Sequence, residues 1–340
     1  MGSAPCFLRN VTLTLFSSHP LFRLVSPRFS GTTWSMKIPA LTLLAAILLS
    51  ACLPYLTKPG DTRTVVTRSE GQERRYLLYV PPSHGEDGPA PLVITFHGLV
   101  QWPAHQLWMS RWNDLAAEEG FLVAYPSGTQ LPKRWTMGGP SGIIWAPEPD
   151  IAFVLRMIAE ISRDYDIDLN RIYVNGMSNG GGMSFVLACE LAELVAAAGI
   201  VAGAIVEPPR GCRPARPVPV IAFHGNADGI VPWDGSEWFG PIRMQGFPQW
   251  TQAWAERNGC APAPVTAAVT AHVHREAYGD CRDGANVELY VVEGGGHTWP
   301  GGEPLPRFIA GHTTDEIDAT RTMWDFFQAH PRQRSTLESK

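Results

Sequence analysis

The chain has 340 residues, of which 45% are hydrophobic and 17% are charged. It is long and apolar enough to bury a large core, and this composition excludes intrinsic disorder. The net charge is −5, and the first 51 residues contain four basic and no acidic side chains, so the remainder is more acidic still. Because nucleic-acid binding needs clustered basic charge, we expect no nucleic-acid partner.

The amino-terminal segment is predicted to be an export signal. Residues 38–51 form an apolar run that is too short to span a membrane, and Met36-Lys37 places a start and a positive charge directly before it. We therefore interpret residues 36–51 as a signal peptide. Residues 1–35 fit no part of such a signal and are interpreted as an upstream extension preceding the true start.

The signal ends in Leu49-Ser50-Ala51-Cys52, which resembles a bacterial lipobox. In that interpretation Cys52 carries the lipid, residues 52–74 are a linker, and the lipid anchor is the only membrane contact of a cell-envelope lipoprotein. The alternative is an ordinary secretory signal that releases the protein. Both interpretations predict a protein outside the cytoplasm.

From residue 75 onward, short apolar runs alternate with amphipathic stretches. We predict strands over 75–80, 92–96, 121–125, 171–174, 198–205, 218–223 and 287–292, and helices over 105–119, 150–164, 180–192, 247–258 and 314–329. Such alternation predicts an α/β fold, with a mostly parallel sheet covered by helices on both faces. We expect one catalytic domain over 75–330, a long loop over 127–149 and a flexible tail over 331–340.

One G-x-S-x-G motif occurs in the chain, at residues 176–180. It follows the strand predicted over 171–174 and precedes the helix predicted over 180–192. This strand–turn–helix context is typical of a nucleophile elbow, in which small flanking residues leave the Ser178 hydroxyl accessible at the end of the sheet. Ser178 is therefore the predicted nucleophile.

A serine nucleophile needs a base and a carboxylate that orients it, and in this arrangement their chain order is Ser, Asp or Glu, then His. His297 follows the last predicted strand in a Gly-rich loop, where sites of open α/β sheets lie, and is the predicted base. Asp228 follows the strand over 218–223 and is favoured as the acid over Asp234. His272 and His274 are expected to alternate along an edge strand without binding a metal.

Two backbone N–H groups are predicted to stabilise the oxyanion. One belongs to Asn179, the residue after the nucleophile. The other comes from the loop after an early strand, where His97-Gly98-Leu99 stands, and we assign it to Leu99.

Four cysteines remain when Cys6 and Cys52 are set aside. An even number in an exported chain predicts disulfides, and four cysteines allow three pairings. Proximity in sequence favours Cys189–Cys212 and Cys260–Cys281. The spacings are unlike those of zinc ligands, so no metal site is expected.

These motifs together resemble the exported esterase family that joins feruloyl and acetylxylan esterases to poly(3-hydroxybutyrate) depolymerases. The resemblance covers residues 75–328 and rests on HGLVQ at 97–101, GMSNGG at 176–181, HGNAD at 224–228 and HTWPGG at 297–302. It implies an α/β-hydrolase fold, a Ser178–His297–Asp228 triad, disulfides at the two favoured pairs and no cofactor. Some members have Cys where this chain has Leu99.

The resemblance implies hydrolysis of carboxylic esters through an acyl-enzyme. Several of the twelve tryptophans stand beside the motifs or in the loops between them: Trp102, Trp108, Trp135, Trp145, Trp233, Trp238 and Trp299. An aromatic cleft suits a sugar ring or a phenolic acid. We assign Trp299, Trp233 and Gln101 to substrate binding.

The expected substrate is a small-molecule or polysaccharide-borne ester, with feruloyl and acetyl groups of plant polysaccharide favoured. No linker and separate binding domain follow the last predicted helix, which disfavours solid polyester. The alternatives are a poly(3-hydroxybutyrate) depolymerase or short-chain hydroxyacid esterase, a non-catalytic lipid-anchored binding protein and an exported peptidase. We expect a monomer.

Overall fold

A ten-stranded sheet forms the centre of the domain in the computed structural model. The structure describes residues 62–129, 132–136, 148–208, 211–238 and 242–333. The strands of this sheet are β1 (Arg63–Ser69), β2 (Gln72–Tyr79), β3 (Ala90–Phe96), β4 (Leu122–Pro126), β5 (Ile167–Met177), β6 (Ala197–Val201), β7 (Val220–Gly225), β10 (Val265–Ala268), β11 (Val273–Tyr278) and β12 (Val287–Val292); β8 (Gly235–Trp238) and β9 (Ile242–Gln245) form a separate antiparallel hairpin.

The strand order is β1-β2-β4-β3-β5-β6-β7-β12-β11-β10. The six strands from β4 to β12 are parallel, whereas β1 and β2 at one side and β11 and β10 at the other are antiparallel. Every residue of β3, β4, β6 and β7 is buried. Continuous apolar runs such as these are typical of parallel strands covered on both faces.

Helices cover both faces of the sheet. They are α1 (Pro103–Ser110), α2 (Trp112–Glu119), α3 (Glu148–Asp164), α4 (Asn179–Glu190), α5 (Phe247–Asn258), α6 (Arg307–Ala310) and α7 (Ala319–Ala329). One core contains α3, α4 and α5, and the other contains α1, α2 and α7. Within β3, Leu92, Ile94 and Phe96 join the first core and Val93 the second, as the alternation of strand side chains requires. The predicted α/β-hydrolase fold is confirmed.

The folded domain begins before residue 75. β1 and the start of β2 lie within residues 62–74, so the prediction of a linker over 52–74 is corrected at this boundary. Their hairpin pairs with β4 through β2. α7 ends at Ala329, next to the predicted carboxyl boundary at residue 330, and of the expected tail over 331–340 only residues 331–333 are described.

Two further predictions of local structure differ from the observed fold. The helix predicted over 105–119 is divided into α1 and α2 at Arg111, whose φ of 55° is left-handed. His274 lies on β11, which pairs with both β10 and β12, so the edge strand is β10 instead. His272 precedes β11.

The four cysteines form Cys189–Cys212 and Cys260–Cys281, as predicted. Each disulfide closes a loop of just over twenty residues, which restricts the unfolded chain more than the folded one. No helix within the described part of the chain is both long and apolar enough to span a membrane.

Candidate active site

Ser178 lies in a sharp turn between β5 and α4. Its φ of 57° and ψ of −121° are a strained conformation for a residue with a side chain, and strain of this kind concentrates at functional sites. The Ser178 N–H donates to the carbonyl of Val201 on β6 at 3.0 Å, and the Ser178 carbonyl accepts from Ala204 at 2.9 Å. These bonds fix the turn to the neighbouring strand.

The glycines of the motif permit close contact between this turn and β3. A Cβ added to Gly180 would lie 2.1 Å from the carbonyl oxygen of Phe96, and one added to Gly176 would lie 2.6 Å from Gly180. Only residues without a Cβ fit at these distances. The spacing G-x-S-x-G is therefore required by packing of the elbow on the end of β3.

Asn179 is the first residue of α4, so its backbone N–H has no partner within the helix. The positive end of the helix dipole adds to the attraction of this N–H for an anion. The predicted oxyanion donor is therefore placed directly beside the Ser178 side chain.

Asp228 and His297 form a buried hydrogen-bonded pair. His297 Nδ1 lies 2.7 Å from Asp228 Oδ2, and Asp228 Oδ1 accepts from the backbone N–H groups of Ile230 and Val231, both at 2.8 Å. An ionised carboxylate has no proton to donate, so His297 Nδ1 carries the hydrogen and Nε2 is the acceptor. Asp228 therefore sets the tautomer that a general base requires.

The charge of Asp228 is stabilised despite burial. Burial by itself raises the pKa of a carboxyl group, but the hydrogen bond with His297, electrostatic interactions with the His297 and His224 rings and the N–H of Val231 outweigh it and hold the pKa of Asp228 below its ordinary value of 3.8.

The three predicted triad residues lie at the end of the sheet that is formed by the carboxyl ends of its parallel strands. Ser178, Asp228 and His297 follow the carboxyl ends of β5, β7 and β12, and the order β5-β6-β7-β12 makes these strands near neighbours. Among the described residues the Ser178 hydroxyl has no hydrogen-bond partner. Catalytic hydrogen bonds are often long before substrate binds, and this edge is where ligands bind in parallel sheets.

The acid and base loops are joined by Asn226. Its side-chain amide donates to Glu293, and its Oδ1 accepts from the N–H of Gly294 at 2.8 Å. Backbone bonds from Asn226 to Val292 (3.1 Å) and from Ala227 to Gly295 (3.0 Å) run beside these contacts. The two loops therefore form one unit, which keeps His297 and Asp228 in register.

The loop after β3 lies against Ser178. A Cβ added to Gly98 would lie 3.4 Å from the Cβ of Ser178, and the Gly98 N–H donates to Gln101 Oε1 at 2.8 Å. Gly98 therefore has no N–H left for an oxyanion. Within the described chain the Leu99 N–H makes no hydrogen bond, so it is available to donate to a bound oxyanion. Gln101, predicted to bind substrate, uses its side-chain oxygen to stabilise the loop.

His97 is completely buried at the start of the same loop. Its Nε2 accepts from the N–H of Gly128 at 3.0 Å, so its Nδ1 carries the hydrogen and donates to the carbonyl of Gly98 at 2.8 Å. Burial lowers the pKa of His97 to about 3, and the ring is neutral at physiological pH. It holds the loop in place and takes no part in proton transfer.

His224 is a buried neighbour of Asp228 and was not among the predicted site residues. Its Nε2 lies 3.0 Å from the carbonyl of Val231 and 3.7 Å from Asp228 Oδ2, and its ring lies 3.8 Å from that of Phe247. Burial lowers the pKa of His224 to about 4. The neutral ring supports the turn that carries Asp228. The position of His224 in the HGNAD motif is the sequence feature that could have predicted this role.

The tryptophans differ in exposure. Trp299 is 1% exposed, and its indole N–H donates to Thr320 at 2.9 Å in the core beneath α7, so the assignment of Trp299 to substrate binding is corrected. Trp233 is half-buried against the other core, with its ring 5.9 Å from that of His224. Trp145 lies outside the described residues.

In the part of the chain that the structure describes, no group of three His, Cys, Asp or Glu side chains is placed to bind a metal ion. A cavity of about 1060 Å³ lies between α7 and the amino ends of β6, β7 and β12. This is the opposite edge of the sheet from Ser178, so the cavity is separate from the candidate site.

Residues 74–231 match the model of a family described as "Esterase PHB depolymerase". The match includes Ser178 and Asp228. "Feruloyl esterase B" of Piromyces equi is 32% identical over 242 residues, which cover 66% of this chain and 42% of that protein. This chain thus spans less than half the length of that relative. "Putative esterase NocK" of Nocardia uniformis subsp. tsuyamanensis is 28% identical over 85% of this chain and 90% of its own length.

A solved structure, "Acetyl xylan esterase from Aspergillus awamori", covers 79% of this chain and 99% of its own, with a TM-score of 0.56 and 17% identity. "Crystal Structure of sOPH Native" covers 82% and 91%, with a TM-score of 0.54 and 17% identity. At these identities the likeness concerns the fold. The family-model match and the sequence relatives together support the similarity of this chain to the esterase family of feruloyl esterases, acetylxylan esterases and poly(3-hydroxybutyrate) depolymerases.

Proposed function

We propose that the protein is a serine carboxylic-ester hydrolase whose triad is Ser178, His297 and Asp228. The observation that carries the proposal is the buried hydrogen bond of 2.7 Å between His297 and Asp228, at the sheet edge where the strained elbow presents Ser178. A structural histidine does not need a charged, fully buried carboxylate beside a strained serine turn. A base and nucleophile do.

Acylation begins when His297 Nε2 accepts the proton of the Ser178 hydroxyl. The Ser178 oxygen bonds to the ester carbonyl carbon, and the electron pair of the C=O bond moves to the oxygen. Asp228 stabilises the imidazolium that forms without taking its proton. When the intermediate collapses, the carbon–oxygen bond to the alcohol breaks, and His297 gives its proton to the departing alcohol oxygen.

The N–H groups of Leu99 and Asn179 are the proposed oxyanion donors. Removing one such donor costs about 10²–10³ in kcat in a well-studied enzyme. Because both are backbone groups, no side-chain substitution deletes them directly.

Deacylation repeats the steps with water as the nucleophile. His297 removes a proton from water as it attacks the acyl-enzyme carbonyl, and then returns the proton to the Ser178 oxygen as the acid leaves. Each proton that His297 accepts is returned within the same half-reaction, so the triad completes the cycle without a cofactor.

The proposed substrates are feruloyl or acetyl esters of plant polysaccharide. The names of the feruloyl and acetylxylan esterase relatives support this class. The alternative is a poly(3-hydroxybutyrate) depolymerase or short-chain hydroxyacid esterase, which is favoured by the family model over residues 74–231. Of the two tryptophans assigned to substrate binding, Trp233, which is half-buried beside the acid loop, remains a candidate for substrate contact.

We also propose that the protein is exported and acts outside the cytoplasm, either released or held by a lipid on Cys52. The two disulfides support export, because such bonds persist in oxidising compartments. Labelling of cells with radioactive palmitate tests the lipid: Cys52→Ser is expected to abolish labelling. Undiminished labelling would contradict this assignment.

Hydrolysis by the full chain tests the proposed activity on four substrates: methyl ferulate, acetylated xylan, p-nitrophenyl acetate and suspended poly(3-hydroxybutyrate). We expect cleavage of soluble esters, loss of at least about 10³-fold in Ser178→Ala and no loss in Ser162→Ala. Ser162 is a matched control, since it is also half-buried and its hydroxyl bonds only the carbonyl of Ile158. Cleavage by Ser178→Ala at the original rate would refute the proposal, and preference for the polyester would select the alternative.

A further inference from the structure

Trp135 contacts both sides of the proposed oxyanion hole. We propose that Trp135 is a positioning residue that fixes the distance between the N–H groups of Asn179 and Leu99. This inference rests on the proposed esterase mechanism and assigns a role to a tryptophan that, within the described residues, has no hydrogen bond to Ser178, Asp228 or His297.

The first contact is a two-point hydrogen bond with the Asn179 side chain. The Trp135 N–H donates to Asn179 Oδ1 at 2.7 Å, and Asn179 Nδ2 donates to the Trp135 carbonyl at 3.1 Å. The side-chain amide thus pairs with one residue of backbone as a neighbouring strand would. Both residues are buried, and the pairing fixes the orientation of Asn179 at the first position of α4.

The second contact fixes the loop after β3. The Trp135 indole N–H donates to the carbonyl of His97 at 2.9 Å, and the indole ring packs edge-on against Phe96 with centroids 5.1 Å apart. Two residues earlier, the carbonyl of Lys133 accepts from the N–H of Val100 at 2.9 Å. Residues 133–135 therefore hold the backbone on both sides of Leu99.

The segment that carries these contacts is itself anchored. Thr136 donates from its N–H (3.0 Å) and from its hydroxyl (2.9 Å) to Asp150 Oδ2 on α3. Asp150 Oδ1 in turn bonds Arg74 of β2 at 2.7 Å, and both charged side chains are almost fully buried. A buried, bidentate anchor of this kind resists displacement, because leaving either charge unpaired is costly.

The proposed chemistry requires that the two oxyanion donors be held at a fixed spacing, and we call the contacts of Trp135 with Asn179 and His97 the brace. Oxyanion donors act at about 2.7–3.1 Å from the developing charge, and a displacement of about 1 Å costs about 10²-fold in rate. Backbone donors have no rotamers with which to adjust, so their spacing is set by what holds the two loops. Trp135 is 1% exposed and bonds both of them.

The test is Trp135→Phe, which retains an aromatic ring and removes the indole N–H. The matched control is Trp254→Phe, because Trp254 is also fully buried and its indole N–H also donates to a backbone carbonyl at 2.9 Å, that of Val218 before β7. We expect kcat to fall about 10- to 100-fold in Trp135→Phe with KM changed less than about twofold, and both constants to stay within about twofold in Trp254→Phe.

A second measurement separates positioning from stability. Phenylboronic acid adds to a serine hydroxyl and places an oxygen where the oxyanion forms, so its inhibition constant reports the donor geometry in folded enzyme. We expect it to weaken by the same factor as kcat in Trp135→Phe. Asn179→Ala keeps the backbone N–H and removes the amide clamp, so it serves if Trp135→Phe does not fold, and we expect the same joint loss of kcat and boronate affinity. In the double variant, Trp135→Phe with Asn179→Ala, we expect kcat to fall by less than the product of the two single-variant losses, because both substitutions weaken the same brace.

The two measurements distinguish a positioning role of Trp135 from a purely structural one. A joint loss of kcat and boronate affinity in Trp135→Phe, absent from Trp254→Phe, establishes the positioning role. A lowered melting temperature with unchanged kcat and boronate affinity overturns it while leaving the esterase mechanism intact. If Ser178→Ala retains activity and boronate does not inhibit the unaltered protein, the esterase mechanism fails, and this inference fails with it.

Discussion

Replacing Asp228 by Asn tests the tautomer argument most directly. The Oδ1 atom of Asp228 accepts two backbone N–H groups, at 2.8 Å each, and only an oxygen can occupy that position. An asparagine must therefore turn its NH₂ group toward His297 Nδ1, which is 2.7 Å from the present Oδ2. His297 Nδ1 then becomes the acceptor, and its hydrogen moves to Nε2, where it blocks acceptance of the serine proton.

The expected loss in kcat is about 10⁴-fold, the cost of the equivalent change in a serine protease. A stability change accompanies it. Since the folded-state pKa of Asp228 is below 3.8, the unfolded chain binds the proton more readily, and the charge stabilises the fold above that pH. This contribution is lost as the pH falls through the lower folded value. Asp228→Asn is therefore expected to be less stable than the unaltered protein at pH 7, with the difference shrinking in acid.

Steady-state hydrolysis of p-nitrophenyl acetate measures the first effect, and urea unfolding at pH 7 and pH 3 the second. Asp318→Asn is the control, because Asp318 caps α7 by accepting from Arg321, and asparagine caps helices equally well. The tautomer argument is refuted if Asp228→Asn keeps kcat within tenfold of the unaltered protein, or if Asp318→Asn loses as much.

Three further predictions concern the groups around the site. Burial lowers the pKa of His224 to about 4, so between about pH 6.5 and pH 4 the unfolded chain binds a proton that the folded protein does not, and the free energy of unfolding falls as the pH drops. In His224→Gln this decrease, measured by urea unfolding, should be smaller by about 3 kcal/mol. An unchanged dependence of stability on pH would contradict the prediction. Gly180→Ala places a Cβ 2.1 Å from the carbonyl oxygen of Phe96 on β3, and it should lower kcat more than tenfold and the melting temperature by several degrees. The control is Gly279→Ala, whose added Cβ has no atom within 4 Å and which should change neither quantity. Asn226→Ala removes the two side-chain hydrogen bonds between the acid and base loops and should lower kcat about tenfold with KM unchanged. A change in KM alone would show that Asn226 acts on substrate.

The order of the core elements could be predicted because it depends on local patterns. The strand over 287–292 and the helix over 247–258 have the predicted bounds, since a continuous apolar run and a helix ended by Gly259 are local signals. β1 was missed because it is mostly exposed and only alternate side chains are buried, so its composition is that of a linker. Its position depends on pairing with β2.

The triad residues could be placed because each stands just after a predicted strand, and the carboxyl ends of parallel strands share an edge. Trp299 could not be placed, because closeness in sequence to His297 says nothing about which way a side chain points. Its partner Thr320 is 21 residues away and enters through the packing of α7. The brace could not be predicted for the same reason, because Trp135 is 38 residues from His97 and 44 residues from Asn179 in the sequence.

Covalent labelling of Ser178 tests the central claim most directly. The full-length protein, Ser178→Ala and Ser162→Ala are treated with a p-nitrophenyl alkylphosphonate, and intact and peptide masses are recorded. The account predicts one adduct per chain, on the peptide that contains Ser178, in the unaltered protein and in Ser162→Ala, and none in Ser178→Ala. An adduct on another residue, or undiminished labelling of Ser178→Ala, would contradict the assignment of the nucleophile.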